Sequence, residues 1–220
     1  MEASPPRYER KFFLSHLERH EVEHLVRLHP AIFREIFHQR AINNLYFDSV
    51  DLRHYRETVD GVSERRKYRI RWYGELTREV AAPVLEIKSK SGFLVRKRSW
   101  PLAPFTVNDL EAAVQGSEAV REELRCMRPV LVNRYRRKYF LAAGGDIRLT
   151  VDWDLTAAPP GSLGDLAAGL RIDPGVVLEL KYPVGLDQEA CEIATWFPFR
   201  LTRSSKYVQG IALLDQAAWG

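Results

Sequence analysis

A chain of 220 residues, 45% hydrophobic and 28% charged, is long enough to bury a substantial core and has the composition of an ordinary globular protein. The net charge of +4 is modest, but Arg and Lys gather at 65–71, 88–98, 134–138 and 200–206, which points to a phosphate-rich partner met locally. No stretch approaches the ~18 uninterrupted apolar residues of a membrane-spanning helix. The start, with its early prolines, lacks the apolar run of a secretory leader. Cys126 and Cys191, far apart and without CxxC spacing, read as reduced, buried thiols of a cytosolic protein.

In chain order, Arg7 to Leu14 reads as a first strand with Arg7, Glu9 and Lys11 on one face. Ser15 and Glu18 have capping-box spacing and open a helix whose apolar stripe is Leu17, Val22, Leu25, Val26 and Leu28, ending at Pro30. Residues 31–39 suit a short helical turn around Ile32, Phe33 and Ile36. Arg40 to Asp48 is extended, and Leu52 with Tyr55 suits a brief helix before the Asp60-Gly61 turn. His16, His20 and His24 recur every four residues and, with His29, read as solvated side chains of a surface helix.

The most telling stretch is 66–73. Lys67, Arg69, Arg71 and Tyr73 share one strand face, while Tyr68, Ile70 and Trp72 share the other. Like charges about 7 Å apart on one face repel unless water or a polyanion sits among them. The inversion recurs. Glu86, Lys88 and Lys90 oppose Leu85 and Ile87 before a Ser91-Gly92 hairpin. The return strand, Phe93 to Trp100, carries Arg96, Lys97 and Arg98 in an open register. A helix is expected from about 107 to 127, weakened in its middle by Gly116. Strands follow at 129–140 and 147–153, the latter with Arg148, Thr150 and Asp152 opposite Leu149, Val151 and Trp153. Residues 157–175, with Pro159-Pro160-Gly161 and several glycines, read as a loop or insertion. Val176 to Pro183 sets Glu179 and Lys181 against Leu178 and Leu180, and helices at 187–196 and 205–217 finish the chain.

These segments make about eight strands, most with one charged and one apolar face. The amphipathic helices need an apolar surface to cover. If they cover the outside of a closed sheet, the cations must point inward, where they are costly unless the hollow stays wet and binds anions. Periodicity alone does not prove closure. The aromatic face of Tyr68, Trp72 and Trp153 then becomes an exterior packed on helices.

The ordered series Glu9-Arg10-Lys11-Phe12, Tyr46-Phe47-Asp48, Arg69-Ile70-Arg71-Trp72-Tyr73-Gly74, Glu86-Ile87-Lys88, Asn133-Arg134-Tyr135-Arg136-Arg137, Arg148-Leu149-Thr150-Val151-Asp152, Leu178-Glu179-Leu180-Lys181 and Ser205-Lys206-Tyr207 resembles the catalytic domain of vacuolar transporter chaperone (VTC) polyphosphate polymerases. These are triphosphate tunnel metalloenzymes, relatives of the CYTH-type enzymes. The resemblance implies a single α+β domain over residues 1–220, built as an eight-stranded antiparallel closed β-barrel with helices packed outside. It implies phosphate ligands at Lys11, Arg69, Arg71, Lys88, Lys97, Arg137, Arg148, Lys181 and Lys206, with Arg96 or Arg98 replacing Lys97 if the register shifts. Glu179 becomes the metal-linked carboxylate for Mn²⁺ or Mg²⁺. The CYTH pattern has a glutamate where this chain has Arg7, which favours the VTC branch.

The implied activity is transfer of the terminal phosphoryl group of ATP to inorganic polyphosphate. Such a reaction needs positioning and charge neutralisation, and an ionised acceptor needs no general base. The rivals are a tripolyphosphatase or nucleoside triphosphatase, in which Glu9 or Glu86 would orient water, and a non-catalytic polyphosphate-binding module. Nucleic acid is not an expected partner, because the cations alternate along strands and are not gathered on one helix. A cytoplasmic protein is expected, recruited to a membrane, if at all, by a membrane-protein partner.

Overall fold

Side chains that alternate at period two form strands throughout this chain. The computed structural model describes residues 2–76, 79–106, 109–162, 170–173 and 175–217. In order these form β1 (Glu2–Leu14), α1 (Arg19–Leu28), β2 (Arg34–Asp48), α2 (Arg53–Val59), β3 (Glu64–Tyr73), the short β4 (Glu79–Val80), β5 (Val84–Ser91) and β6 (Leu94–Pro101). The short β7 (Phe105–Thr106), α3 (Leu110–Gln115), α4 (Glu118–Leu124), β8 (Arg128–Leu141), β9 (Arg148–Ala158), β10 (Leu170–Asp173), β11 (Val176–Pro183), α5 (Asp187–Trp196) and α6 (Lys206–Ala217) follow.

Eight strands close on themselves. The order β9-β11-β1-β6-β5-β3-β2-β8 returns from β8 to β9, every neighbouring pair antiparallel. β10 continues the edge of β9 where β11 leaves it, and β4 pairs with β7 apart from the ring. β6 pairs with β1 only as far as Arg7. Beyond it, residue 202 covers the strand, with the Thr202 N–H donating to the Lys11 carbonyl (2.8 Å) and the Phe13 N–H to Thr202 Oγ1 (2.8 Å).

The apolar face of the ring points outward. Phe12, Leu149, Val151, Trp153, Leu178 and Leu180 pack under Val22 and Val26 of α1 and Ala190 and Ile193 of α5. Ile70, Trp72, Leu85, Ile87 and Trp100 pack under Val120 and Leu124 of α4. Each such fully buried side chain contributes about 1.5–3 kcal/mol of transfer free energy. Helix α6 differs: Tyr207 and Ile211 sit with Tyr46, Leu131 and Ala157 on the inner face of β2, β8 and β9. A Cβ at Gly210 would lie 2.5 Å from Leu131, so the helix approaches the strands as closely as it does because that position carries no side chain. A bulge at Asp154 (φ 53°) lets β9 present Thr150 and Asp152 inward before the bend and the apolar Leu155 and Ala157 after it.

All eight expected strands join the ring, but several local readings change. Residues 34–39 extend β2 in place of a helical turn, because pairing with β8 satisfies their backbone groups (Arg34 opposite Leu141, Phe37 opposite Tyr139). The capping box sits at Glu18 and Glu21 and not at Ser15 and Glu18, and Leu28 is exposed. The helix expected at 107–127 breaks at Gly116 into α3 and α4, and residues 107–108 lie outside the described residues. The loop expected at 157–175 instead ends β9 and includes β10, while 163–169 and 174 lie outside the described residues. Cys126 and Cys191 are free but exposed, not buried. His29 is buried, within 3.0 Å of the Ile193 carbonyl, while His16, His20 and His24 are exposed as expected.

Candidate functional site: a cation-lined tunnel

Inside the ring the charged faces of seven strands meet, those of β1, β3, β5, β6, β8, β9 and β11. From β3, Arg69 donates to Glu86 Oε2 through both Nε (3.0 Å) and Nη2 (2.7 Å), while Arg71 and Lys97 each reach Glu86 Oε1 at 2.9 Å. Burial alone would raise the Glu86 carboxyl, but Arg69, Arg71 and Lys97 outweigh it and hold the group far below the ordinary carboxylate range. Arg71 keeps its buried Nε without a hydrogen-bond partner among the described residues.

The opposite wall carries a second centre. Arg137 forks onto both oxygens of Asp152, and Lys206, the first residue of α6, reaches Asp152 Oδ2 at 2.6 Å. Burial raises the Asp152 carboxyl, yet Arg137 and Lys206 bring it down to about 2. Lys206 also lies 4.6 Å above the Tyr135 ring. Next to this pair, Glu179 is ringed by Lys181 (3.0 Å), Lys11 (3.3 Å) and Arg137 (3.4 Å). Against the effect of burial, Lys11, Lys181, Lys88 and Arg137 hold it well below its usual value. Lys181 itself is lowered by burial to about 8, Glu179 resisting the shift. Glu9, also lowered despite burial, receives a 2.6 Å hydrogen bond from Lys88 and has Arg7 at 3.4 Å.

Lys11, Arg69, Arg71, Lys88, Lys97, Arg137, Lys181, Lys206 and Glu179 thus converge in the hollow. Lys97 takes the inward register; Arg98 turns out onto Glu123 at 2.8 Å, and Arg96 is exposed on the outer face. Arg148 stands apart, exposed at the rim where β9 begins and with no ion pair among the described residues. Sequence reasoning gave no role to Lys67, which donates to Ser205 Oγ at 2.7 Å. Burial first, and then Lys11 and Lys88, lower its ammonium well below the usual lysine range. Its position two residues before Arg69 was the available signal. Asp48 was likewise unassigned: it accepts from the His54 N–H (3.0 Å), the Tyr55 N–H (2.9 Å) and the Tyr207 hydroxyl, tying α2 and α6 to the end of β2.

Among the described residues no three His, Cys, Asp or Glu side chains gather as a metal cage. The donor set nevertheless suits an ion held by one carboxylate and by substrate oxygens, as Mg²⁺ commonly is. Glu179 would supply the carboxylate, and directly opposite it on β9 the buried Thr150 hydroxyl has no partner among the described residues.

A closed ring of eight antiparallel strands with charged faces inward and helices outside is a triphosphate-tunnel type of fold. A family model for the VTC domain matches residues 6–215, and the chain belongs to that family. Among solved structures, a candidate adenylate cyclase from Vibrio parahaemolyticus is 12% identical, with a TM-score of 0.55 over 92% of this chain and 97% of that one. The PH1819 protein from Pyrococcus horikoshii OT3 is also 12% identical, with a TM-score of 0.51 over 96% and 99% of the two chains. At that identity the likeness concerns the fold alone. Curated proteins give no match.

Proposed function

We propose that the protein is a metal-dependent polyphosphate polymerase that passes the terminal phosphoryl group of ATP to the end of an inorganic polyphosphate chain held in the tunnel. The supporting observation is the charge imbalance of the hollow. Lys11, Lys67, Arg69, Arg71, Lys88, Lys97, Arg137, Lys181 and Lys206 face Glu9, Glu86, Asp152 and Glu179, so cations outnumber carboxylates about two to one. A linear polyanion is the ligand that relieves such an excess along the length of a tunnel.

Arg69, Arg71 and Arg137 offer planar donors to paired phosphate oxygens, and the lysines act as point charges along the chain. The bond that forms joins the terminal chain oxygen to the γ-phosphorus, the bond that breaks releases ADP, and the acceptor oxygen is already ionised near pH 7. The tunnel carboxylates Glu9, Glu86, Asp152 and Glu179 are all held as anions below their usual range, so none is poised to take a proton from water at neutral pH. This favours transfer over hydrolysis. Glu179, with Thr150 beside it, would hold Mn²⁺ or Mg²⁺, which when bound supplies neutralisation of charge on the phosphate oxygens. The reading places the protein in the cytoplasm with its ATP, any membrane attachment coming from a partner; no helix among the described residues is long and apolar enough to cross a membrane.

Purified protein incubated with ATP and Mn²⁺ is expected to release ADP and build long chains visible on a gel. Free phosphate without chains would make it a hydrolase, and tight polyphosphate binding without loss of ATP would make it a binding module. Either result overturns the proposal.

A further inference from the structure

The cations do not stop at the tunnel. On β3 and β5 the inward rows run Arg69 opposite Glu86, then Lys67 opposite Lys88, then Arg65 opposite Lys90. The first pair is complementary; the next two set like charges directly across a ladder, an arrangement that destabilises a sheet. Lys88 has Glu9, but Lys67, Arg65 and Lys90 form no ion pair among the described residues. Arg65 and Lys90 also line a cavity of about 720 Å³ that wraps over this lip onto the outer face of the ring. There Arg66 and Arg96 flank Ser89 in one cross-strand row, and Arg53 of α2 lines the same cavity.

The charges in this cavity are unbalanced. Its two carboxylates are occupied: Glu57 accepts from Arg53 at 2.8 Å with His54 at 3.2 Å, and Glu64 accepts from Ser91. Arg65, Lys90 and Arg96 have no ion pair among the described residues, and Arg66 has none at contact distance, being steadied by the Tyr68 hydroxyl and, from further off, by Glu123 and Glu57. Burial, and then neighbouring cations including Arg65, Lys88 and Lys11, lower the Lys90 ammonium, so the lip and the tunnel share one field. Four cations without an ion pair among the described residues, around a concave surface that Arg65 and Lys90 join to the tunnel, favour a bound anion over bare solvent exposure.

We propose that this cavity is an exosite for the part of an inorganic polyphosphate chain that lies outside the tunnel, with Arg65 and Lys90 leading the chain over the lip and Arg66 and Arg96 holding it on the outer face. The inference rests on the tunnel reading, and it makes a demand that reading does not. A chain too short to leave the tunnel never meets the exosite, whereas a long one does.

The test compares the full-length wild type with Arg66→Gln/Arg96→Gln, whose substitutions lie outside the tunnel, by titrating each with tripolyphosphate and with long-chain polyphosphate in the same buffer. Thermal melting checks that both are folded. The expected result is that the variant loses about tenfold in affinity for the long chain and becomes less salt-sensitive towards it, since two phosphate contacts are lost, while tripolyphosphate binds unchanged. Equal long-chain affinity in the two proteins, or an equal loss for both ligands, overturns the exosite while leaving the tunnel standing. A wild type that binds neither ligand overturns both. A charge-matched single-stranded RNA that competes as well as long-chain polyphosphate in the wild type, but not in the variant, overturns the assignment of the ligand.

Discussion

The two anionic centres of the tunnel are built from the same residue types and differ in what surrounds them. Glu86 lies between β3 and β6, its strand's own neighbours, and both its oxygens are saturated by Arg69, Arg71 and Lys97. Glu179 and Asp152 share their cations across β1, β8, β11 and α6: the Arg137 fork and Lys206 take Asp152, two lysines and one arm of Arg137 take Glu179, and a buried hydroxyl beside Glu179 has no partner among the described residues. A carboxylate clamped by rigid guanidinium forks neutralises a wall. One ringed by mobile ammoniums can exchange them for a metal and substrate oxygens. Under the proposed function, the contrast gives Glu86 the integrity of the barrel and Glu179 the chemistry.

The sharpest way to break that contrast is Glu86→Ala. Removing a carboxylate that is 1% exposed leaves three partly buried cations without a counter-ion, at a cost of about 2–4 kcal/mol once their residual solvation is allowed for. The denaturation midpoint should fall accordingly, and tripolyphosphate should restore much of it by replacing the missing charge. An unchanged midpoint would remove Glu86 from its structural role. Glu179→Gln should behave in the opposite sense. Metal-dependent turnover should fall about 100-fold or more, while tripolyphosphate still binds, because the tunnel cations remain. Turnover and binding are measured separately, and a parallel loss of both would erase the difference between the two centres.

How much of this was legible in the sequence follows from what kind of signal each feature carries. The ring strands were readable because charged and apolar residues alternate over most of each one, as in Arg69-Ile70-Arg71-Trp72, and the helices because they carry apolar stripes. Residues 34–39 were misread because nothing local marks Phe37 as the partner of Tyr139 one hundred residues later. The register of β6 was ambiguous from sequence because Arg96, Lys97 and Arg98 look alike, and only the position of Glu86 separates them. Lys67 was visible on the right face and yet went unassigned, since a strand pattern does not reveal which cations lack a carboxylate. The plugging position of α6 was not readable at all: it depends on Gly210 meeting Leu131 and on Tyr207 meeting Asp48, contacts between segments distant in the chain.

A milder probe of the Glu179 centre uses pH. Lys181 is lowered from the ordinary lysine value of 10.5 to about 8, while in the unfolded chain it keeps its proton to the higher value. Between these limits the unfolded state binds more protons, so the stability of the ligand-free protein should rise with pH across that window. Over the same window the tunnel loses a positive charge, so tripolyphosphate affinity should fall several-fold above about pH 8. Lys67, lowered in the same direction, adds to both trends. Lys181→Arg should flatten the affinity profile, and a profile equally steep in that variant would assign the titration elsewhere.

The smallest effect is expected at Arg148. It follows the alternation of β9 and lies on the same face as Asp152, so pattern alone ranks it with Arg69. Its guanidinium is nevertheless exposed at the rim, without an ion pair among the described residues, where water and salt screen whatever it touches. Arg148→Ala should therefore lower tripolyphosphate affinity by no more than about threefold, against tenfold or more for Arg69→Ala, in which a partly buried fork is removed beside Glu86. Parallel titrations of the two variants measure the ratio. An equal loss would mean that the phosphate chain reaches the β9 rim in a dehydrated state, and the working length of the tunnel would then extend to that end of the ring.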